Sequence, residues 1–457
     1  MELRRDLGNR HIQLIALGGA IGTGLFLGSA GALKNAGPSL LLCYVIGGLV
    51  ELLIMRQLGE MIVEEPVAGS FAHFAHKYWG GFAGFMSGWN YWMLYVLVGM
   101  TELTAVAKYM HYWAPSVPQW APVLVFFALV NAVNFANVRI FGETEFWFAL
   151  VKVIAVVCMI ALGGWLLLSG GAGEEAAVSN LWQHGGFFAG DFADFSVALA
   201  FVMFSFGGLE LVGVSAAETS DPGRTIPRAI KRVLLRILIF YIGAVAVMLM
   251  LAPWTKTVEA VAAASVAGAA DAYAASPFVL ILAKTGIPGA AHILNFVILT
   301  AALSVYNSGV YCNSRMLYGL AQKGSAPRSL ASVNKRGVPT RALTLSAAAT
   351  GLAVVVNYAM PAAAFEFLIS LVVAALVLNW ALISLTHLRF RTALRATGAT
   401  AQFPAPWSPW ANWVCVAFNA WVLFVLVVWA GKWKSALALV VWLALLIAAW
   451  AWRRQRR

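Results

Sequence analysis

Three ionisable side chains, Glu102, Lys152 and Glu210, lie within long apolar stretches of this sequence. A charge inside a bilayer is costly unless it is paired or hydrated, so such residues mark ion and proton pathways. We therefore predict coupling or gating roles for all three. Two alternatives stay open, because Lys152 could extend its ammonium group to the interface and Glu102 could be a structural hydrogen-bonding group.

Glycines interrupt the first apolar stretch, where residues 17–26 read LGGAIGTGLF. Each glycine in a helix interior costs about 1 kcal/mol relative to alanine, so this segment favours a broken helix. A break exposes backbone N–H groups that suit a carboxylate and carbonyl groups that suit an ammonium ion. The glycines also fit small-xxx-small helix packing. A dinucleotide fingerprint is weakly supported, because no strand precedes them and no βαβ unit follows.

A second interrupted stretch, residues 203–213, reads MFSFGGLELVG and carries Glu210 two residues after the glycine pair. Breaks in the first and sixth of a series of helices are what an inverted repeat of five plus five helices produces, with the ligand held between them. The two breaks together therefore favour a transporter over mere helix packing.

Composition indicates the environment of these elements. Of 457 residues, 61% are hydrophobic and 11% are charged, against about 25% charged in soluble domains. A membrane-spanning helix needs about 20 apolar residues. We predict an all-α membrane protein with twelve transmembrane helices, of which the first, sixth and eighth are interrupted by glycine or polar residues. The candidate segments are 12–35, 38–60, 80–108, 119–138, 145–169, 193–218, 227–252, 289–320, 340–357, 361–386, 407–430 and 433–452.

We attribute the net charge of +12 to the orientation of the chain in the membrane and not to nucleic-acid binding. With twelve spans and the N-terminus inside, the predicted cytoplasmic segments hold about four times as many Lys and Arg residues as the opposite side, as the positive-inside rule requires. No signal peptide is expected, since the chain enters its first span directly. We predict that both termini are cytoplasmic and that no nucleic acid is a partner.

Other function classes are poorly supported by the residues. The four cysteines are scattered, and the seven histidines show no HExxH or His/Cys cluster, so no metal site is predicted. A membrane-embedded enzyme would need a nucleophile–base pair or a metal set. A channel usually has a repeated pore and no site for both an amine and a carboxylate. We predict that the chain is not an enzyme and has no catalytic residues.

Several longer motifs in the sequence resemble those of a known protein family. NRHIQLIAL (9–17) runs into GGAIGTGLFLGSA (18–30), and further motifs follow: MRQLGEM (55–61), SGWNYW (87–92), FGE (141–143), MFSFGGLELVG (203–213), LTAALSVYNS (299–308) and KRGVP (335–339). Across nearly the whole chain, the sequence resembles the bacterial amino acid permeases of the amino acid–polyamine–organocation superfamily, and within them those for aromatic amino acids. The strings are less specific for substrate than for family. An Ala-rich stretch, 255–275, departs from the pattern in a predicted external loop.

The resemblance implies a LeuT-type fold within one transmembrane transporter domain, residues 1–457. One five-helix repeat would cover about 12–169, its inverted counterpart about 193–386, and two peripheral helices about 407–452. The chain would lie in the bacterial inner membrane as a monomer surrounded by lipid. Its substrates would be L-phenylalanine, L-tyrosine and L-tryptophan, imported by proton symport, with the proton as coupling ion and no other cofactor. Another neutral amino acid is the alternative substrate.

The resemblance also assigns residues. Backbone groups of Ala20, Ile21, Gly22, Thr23 and Gly24 would meet the α-carboxylate and the amine of the substrate. Phe204 and Gly207 would contribute from the second break, with Phe204 placed as an aromatic gate. Lys152 matches a lysine that takes the place of a sodium ion in proton-coupled relatives.

From its position in the third span, Tyr95 is a further candidate, because an aromatic wall would favour aromatic substrates. The alternative for Tyr95 is a packing or lipid-facing role.

Overall fold

Long apolar runs in a bilayer must pair their own backbone groups, and helices do so within one segment. The computed structural model describes residues 22–67, 70–136, 138–208, 210, 222–266, 276–284 and 287–455. Within these ranges the regular structure is helical and contains no strand, as predicted. The α-helices are α1 (Ser29–Ala36), α2 (Leu40–Glu64), α3 (Ser70–Tyr78), α4 (Gly81–Met110), α5 (Trp120–Ala136), α6 (Val138–Ser169), α7 (Phe192–Val202), α8 (Pro222–Arg236), α9 (Ala244–Leu251), α10 (Trp254–Val266), α11 (Pro277–Lys284), α12 (Ala290–Gln322), α13 (Thr340–Thr350), α14 (Leu352–Ala359), α15 (Ala364–Ala396), α16 (Trp410–Val428) and α17 (Trp433–Gln455).

Among the described residues, 7 continuous helical segments are long and apolar enough to cross a membrane. An eighth results if Ile239–Leu251 and Trp254–Ala263, which meet at 89°, form one span. The segments are Gly24–Glu64, Phe141–Ser169, Ala290–Gln322, Thr340–Ala359, Ala364–Ala396, Trp410–Val428 and Trp433–Gln455. The chain is thus a multi-pass helical membrane protein. The number twelve stays a prediction, since α4, α5 and α7 match predicted spans without meeting this criterion.

Large apolar side chains are exposed on the outer surface. Leu168, Trp410 and Tyr358 are 89%, 76% and 75% exposed, respectively. Water would make such a surface a strong aggregation risk, whereas lipid tails solvate it. The last helix, α17, lies at the periphery. Only 11% of its most apolar 18-residue window is buried.

Helix α12 lies at the centre, with 89% of its most apolar window buried, and it packs along α4, α5 and α6. The prediction that this eighth span is interrupted is wrong, because α12 is continuous from Ala290 to Gln322. Several of its polar side chains form hydrogen bonds with neighbouring helices and do not break it. Asn295 donates to a backbone carbonyl of α4, Asn307 accepts from a side chain of α5, and Ser304 bonds to α6.

A buried charge network fixes α15, which lines the candidate site, against α2. The Glu60 carboxylate accepts hydrogen bonds from His387 Nε2 at 3.0 Å and from the Arg391 guanidinium at 2.8 Å. The side chain of Asn412 contacts the other ring nitrogen of His387 at 2.9 Å and ties in α16. Since breaking a buried ion pair is strongly destabilising, this network holds the three helices in one register.

Candidate functional site

The predicted break at the second glycine pair is present. Helix α7 continues as a 3-10 turn, Met203–Phe206, and the helix then ends. Gly207 is extended, with ψ 141°, and Gly208 has φ +103°, a conformation that a side chain would strongly disfavour. The last carbonyl groups of the turn therefore lack the helical partners that a continuing helix would supply.

The first break is described from Gly22 onward. Gly22 lies in a bend, Thr23 precedes a π-helical turn, Gly24–Gly28, and that turn leads directly into α1. The Thr23 side chain forms no capping hydrogen bond with the start of this helix among the described residues. The first N–H groups of such a segment have no intrahelical acceptor and suit an anion. That of Thr23 lies within hydrogen-bond reach of the Glu102 carboxyl group. Ala20 and Ile21 lie outside the described residues.

The two breaks touch each other through Gly24. A Cβ atom on Gly24 would lie 2.8 Å from the Ser205 Cα atom and 3.0 Å from Phe204 Cδ1. Only a glycine lets the start of one half-helix approach the backbone of the other this closely. The start of the first half-helix and the end of the second therefore lie side by side, and the Ser205 carbonyl group there accepts a hydrogen bond from the Tyr241 hydroxyl group at 2.6 Å.

A narrow cavity opens between these breaks. It has a volume of about 440 Å³, counting all space not filled by atoms and including its mouth. It is lined by Gly22, Gly24, Leu94, Tyr95, Val98, Glu102, Phe204, Ser205, Gly207, Gly208, Glu210, Val305, Val372 and Leu376. Seven of the residues predicted from the sequence thus meet in one cavity.

The cavity walls are largely apolar and aromatic. Tyr95 on α4 is 4% exposed, and its ring lies 4.8 Å from that of Tyr91. The Tyr95 hydroxyl group is buried and forms no hydrogen bond with another described residue. Phe204 is 7% exposed and lies where the two breaks meet. These rings offer area and stacking to a flat substrate side chain.

Two carboxyl groups face the breaks. Glu102 is 1% exposed, and its Oε1 atom lies 2.9 Å from the position that a Cβ atom on Gly22 would take. Its carboxyl group also faces Thr23. Glu210 accepts a hydrogen bond from the Gly208 N–H at 3.2 Å, so its carboxylate stabilises the turn that ends the second half-helix. Glu102 thereby lies beside the first break, and Glu210 stabilises the turn at the second break.

Lys152 does not line the cavity. Its side chain is fully buried on α6 and lies within electrostatic range of Glu102. Complete burial is at odds with an ammonium group that reaches the interface, the alternative left open by the sequence. Instead Lys152 lies in the protein interior, near Glu102.

Glu145 is a second acidic neighbour of Lys152 that the sequence analysis did not select. Its carboxylate accepts hydrogen bonds from the Ser304 hydroxyl and, at 3.3 Å, from the Asn307 amide. Asn134 extends the network by donating to Asn307 at 2.8 Å. The signal was available, since residues seven apart share one face of a helix. The predicted span 145–169 begins at Glu145, whereas α6 begins at Val138 and places Glu145 inside the helix.

Within the described ranges, no group of three or more His, Cys, Asp or Glu side chains is arranged to hold a metal ion. The polar groups of the site suit a zwitterion instead. N–H groups of one break suit an anion, carbonyl groups of the other suit a cation, and aromatic rings line the wall between them.

Comparison with known proteins identifies the family of the chain. The family model described as amino acid permease matches residues 11–457. The aromatic amino acid transport protein AroP of Escherichia coli (strain K12) is 57% identical over 445 residues, covering 97% of this chain and 94% of that protein. AroP of Salmonella typhimurium (strain LT2) is 56% identical over the same shares. An uncharacterized amino acid permease of Bacillus subtilis (strain 168), YtnA, is 40% identical over 98% of this chain and 95% of its own length.

Proposed function

Because the chain belongs to the amino acid permease family, we propose that it imports phenylalanine, tyrosine and tryptophan by proton symport across a bacterial inner membrane. The family consists of transport proteins, and the prediction that this chain is not an enzyme is confirmed. Twelve spans, a LeuT-type inverted repeat and cytoplasmic termini are part of the proposal. The strong excess of Lys and Arg in the predicted cytoplasmic segments supports that orientation.

The cavity between the two breaks carries the proposal. The α-carboxylate of the substrate would rest on the N–H groups at the start of Gly24–Gly28, where the helix dipole favours negative charge. Its ammonium group would meet the carbonyl groups at the end of Met203–Phe206. The side chain would then lie against Tyr95 and Phe204. Aromatic substrates are favoured, because the two AroP relatives named above are aromatic amino acid transport proteins and because the cavity wall is aromatic.

Uptake by purified protein in proteoliposomes tests this function. With an inward proton gradient and no sodium, labelled phenylalanine is expected to accumulate. Unlabelled tyrosine and tryptophan should compete more strongly than the other amino acids. Equal competition by aliphatic amino acids would contradict aromatic specificity, and accumulation that requires sodium would contradict proton symport.

The Tyr95 hydroxyl group is expected to set the order of preference among aromatic substrates. In Tyr95→Phe, the ring remains and a buried, unbonded hydroxyl group is lost from the cavity wall. A net hydrogen bond is worth about 0.5–1.5 kcal/mol, so the ratio of half-inhibitory concentrations for tryptophan and phenylalanine should change by about two- to tenfold. Total transport should change less.

Tyr109→Phe is the matched control for this prediction. Tyr109 is also buried on α4, but it does not line the cavity. Competition profiles that are identical for wild type and Tyr95→Phe would assign Tyr95 to packing alone.

A further inference from the structure

A second, larger cavity lies on the side of the molecule where α1 ends and α15 begins. It measures about 1320 Å³ including its wide mouth. Its walls include the ends of α1 and α4, the start of α7, the start of α15 and the segment that follows α16. In the proposed topology these ends all face the outside of the cell. The cavity is therefore an outer vestibule.

Only a thin layer of side chains separates this vestibule from the central cavity. Gly28 lines the vestibule, and a Cβ atom on it would lie 3.6 Å from Ile369 Cδ1 and 3.9 Å from Phe204 Cδ1. Phe204 in turn lines the central cavity. A substrate that enters from this side must pass through the vestibule and displace this layer.

The charged side chains of the vestibule differ in whether they have partners within the protein. Of its two acidic residues, Glu366 accepts a hydrogen bond from Lys432 at 2.7 Å. Asp194 is engaged at the start of α7, where it forms a reciprocal capping pair with Asp191. Both carboxylates thus have partners within the protein.

Two lysines remain. Lys34 and Lys108 line the vestibule, and neither forms a hydrogen bond or an ion pair with another residue of the described ranges. Lys108 is partly buried, lies 5.6 Å from the Phe365 ring centroid and is within electrostatic range of Glu366. An ammonium group withdrawn from bulk water attracts an anion more strongly than a surface lysine does.

Aromatic side chains surround these lysines. Phe201, Phe365 and Trp429 are part of the same wall. The vestibule therefore combines two cations with an aromatic surface, and the central cavity is directly behind it. This combination matches a carboxylate attached to an aromatic ring.

We propose that the vestibule is a transient first binding site, in which Lys108, assisted by Lys34, receives the carboxylate of an aromatic amino acid before it enters the central cavity. This inference rests on the proposed function. The site would capture substrate from dilute solution and hold its ring against the aromatic wall until the layer of Phe204 and Ile369 opens. A positively charged cleft also raises the local concentration of carboxylates.

Lys108→Gln tests the site by separating capture from translocation. The half-saturating concentration for phenylalanine uptake should rise about tenfold while the maximal rate stays near that of wild type, because only an early binding step is lost. Added salt should raise the half-saturating concentration of wild type and have a smaller effect on the variant. Lys34→Gln should show the same changes to a lesser degree. Lys434→Gln is the matched control, since Lys434 is exposed beside Trp433 and outside the vestibule.

Two further measurements exclude an effect on folding or on the central site. Equilibrium binding of labelled phenylalanine to detergent-purified Lys108→Gln should match wild type, which also shows that the variant is folded. Inhibition of uptake by 3-phenylpropionate should weaken in Lys108→Gln, whereas inhibition by phenethylamine, which has no carboxylate, should not change.

The outcomes distinguish the inference from the proposed function. If wild type imports phenylalanine and Lys108→Gln has the same half-saturating concentration, the vestibule site is wrong and the function stands. If equilibrium binding weakens as much as uptake does, Lys108 acts on the central cavity and the inference is overturned. A wild-type protein that transports no amino acid overturns both.

Discussion

Gly24→Ala is expected to lower amino acid uptake by roughly tenfold to a hundredfold while leaving the protein folded in the membrane. The added methyl group would lie 2.8 Å from both the Ser205 Cα atom and its hydroxyl oxygen. A backbone atom cannot move aside as a flexible side chain can. The two half-helices must therefore separate, which costs about 1–3 kcal/mol and displaces the N–H groups from the carbonyl groups opposite.

Gly319→Ala is the control for this substitution. Gly319 lies on the central helix α12, and a Cβ atom there would meet no atom within 4 Å. Initial rates of phenylalanine uptake and equilibrium binding should be measured for both variants at matched protein content. Wild-type uptake by Gly24→Ala would show that the close approach of the two breaks is unnecessary, and the proposed substrate site would have to be abandoned.

The sequence predicted the second break because its cause is local. Gly208 takes a positive φ of 103° that favours glycine, and Glu210 bonds to the same turn. Both features are encoded within four consecutive residues. The chemistry of such a turn is therefore readable before any tertiary contact is known.

Other parts of the site depend on packing between distant segments. Ser205 contacts Gly24 across more than 180 residues of sequence, and nothing in its local pattern separates it from an ordinary helical serine. Val305 and Leu376 line the cavity because α12 and α15 cross it at those residues. The predicted interruption of α12 failed for a similar reason, since its polar side chains find partners on other helices.

Lys152 and Glu145 occupy positions from which they could couple transport to protons. Both are fully buried on α6, and seven residues place them on one face about two turns apart. Glu102, beside Gly22 in the central cavity, lies within electrostatic range of Lys152. The three residues thus run from the polar network around Ser304 to the central cavity. A sodium ion close to the Lys152 ammonium would be repelled strongly in this low-dielectric interior.

We therefore expect Lys152→Ala to abolish accumulation of phenylalanine driven by a proton gradient. Without the Lys152 ammonium group, the buried carboxyl groups of Glu102 and Glu145 lose a neighbouring positive charge. An uncompensated buried charge is strongly unfavourable. Lys152→Arg is the informative companion, because arginine retains the charge and cannot release a proton in proteins. It should preserve exchange of labelled for unlabelled phenylalanine and lose net accumulation. Glu145→Gln should weaken accumulation in the same direction.

Proteoliposomes with an imposed pH gradient, with and without sodium, separate the possible roles. Accumulation by Lys152→Arg would mean that Lys152 serves as a fixed cation in place of sodium and that Glu102 or Glu145 carries the proton. If Lys152→Ala still accumulates substrate with protons alone, Lys152 is structural. If wild type accumulates substrate only when sodium is present, proton coupling itself is wrong, because a buried ammonium group next to the substrate site would then have to tolerate a second cation.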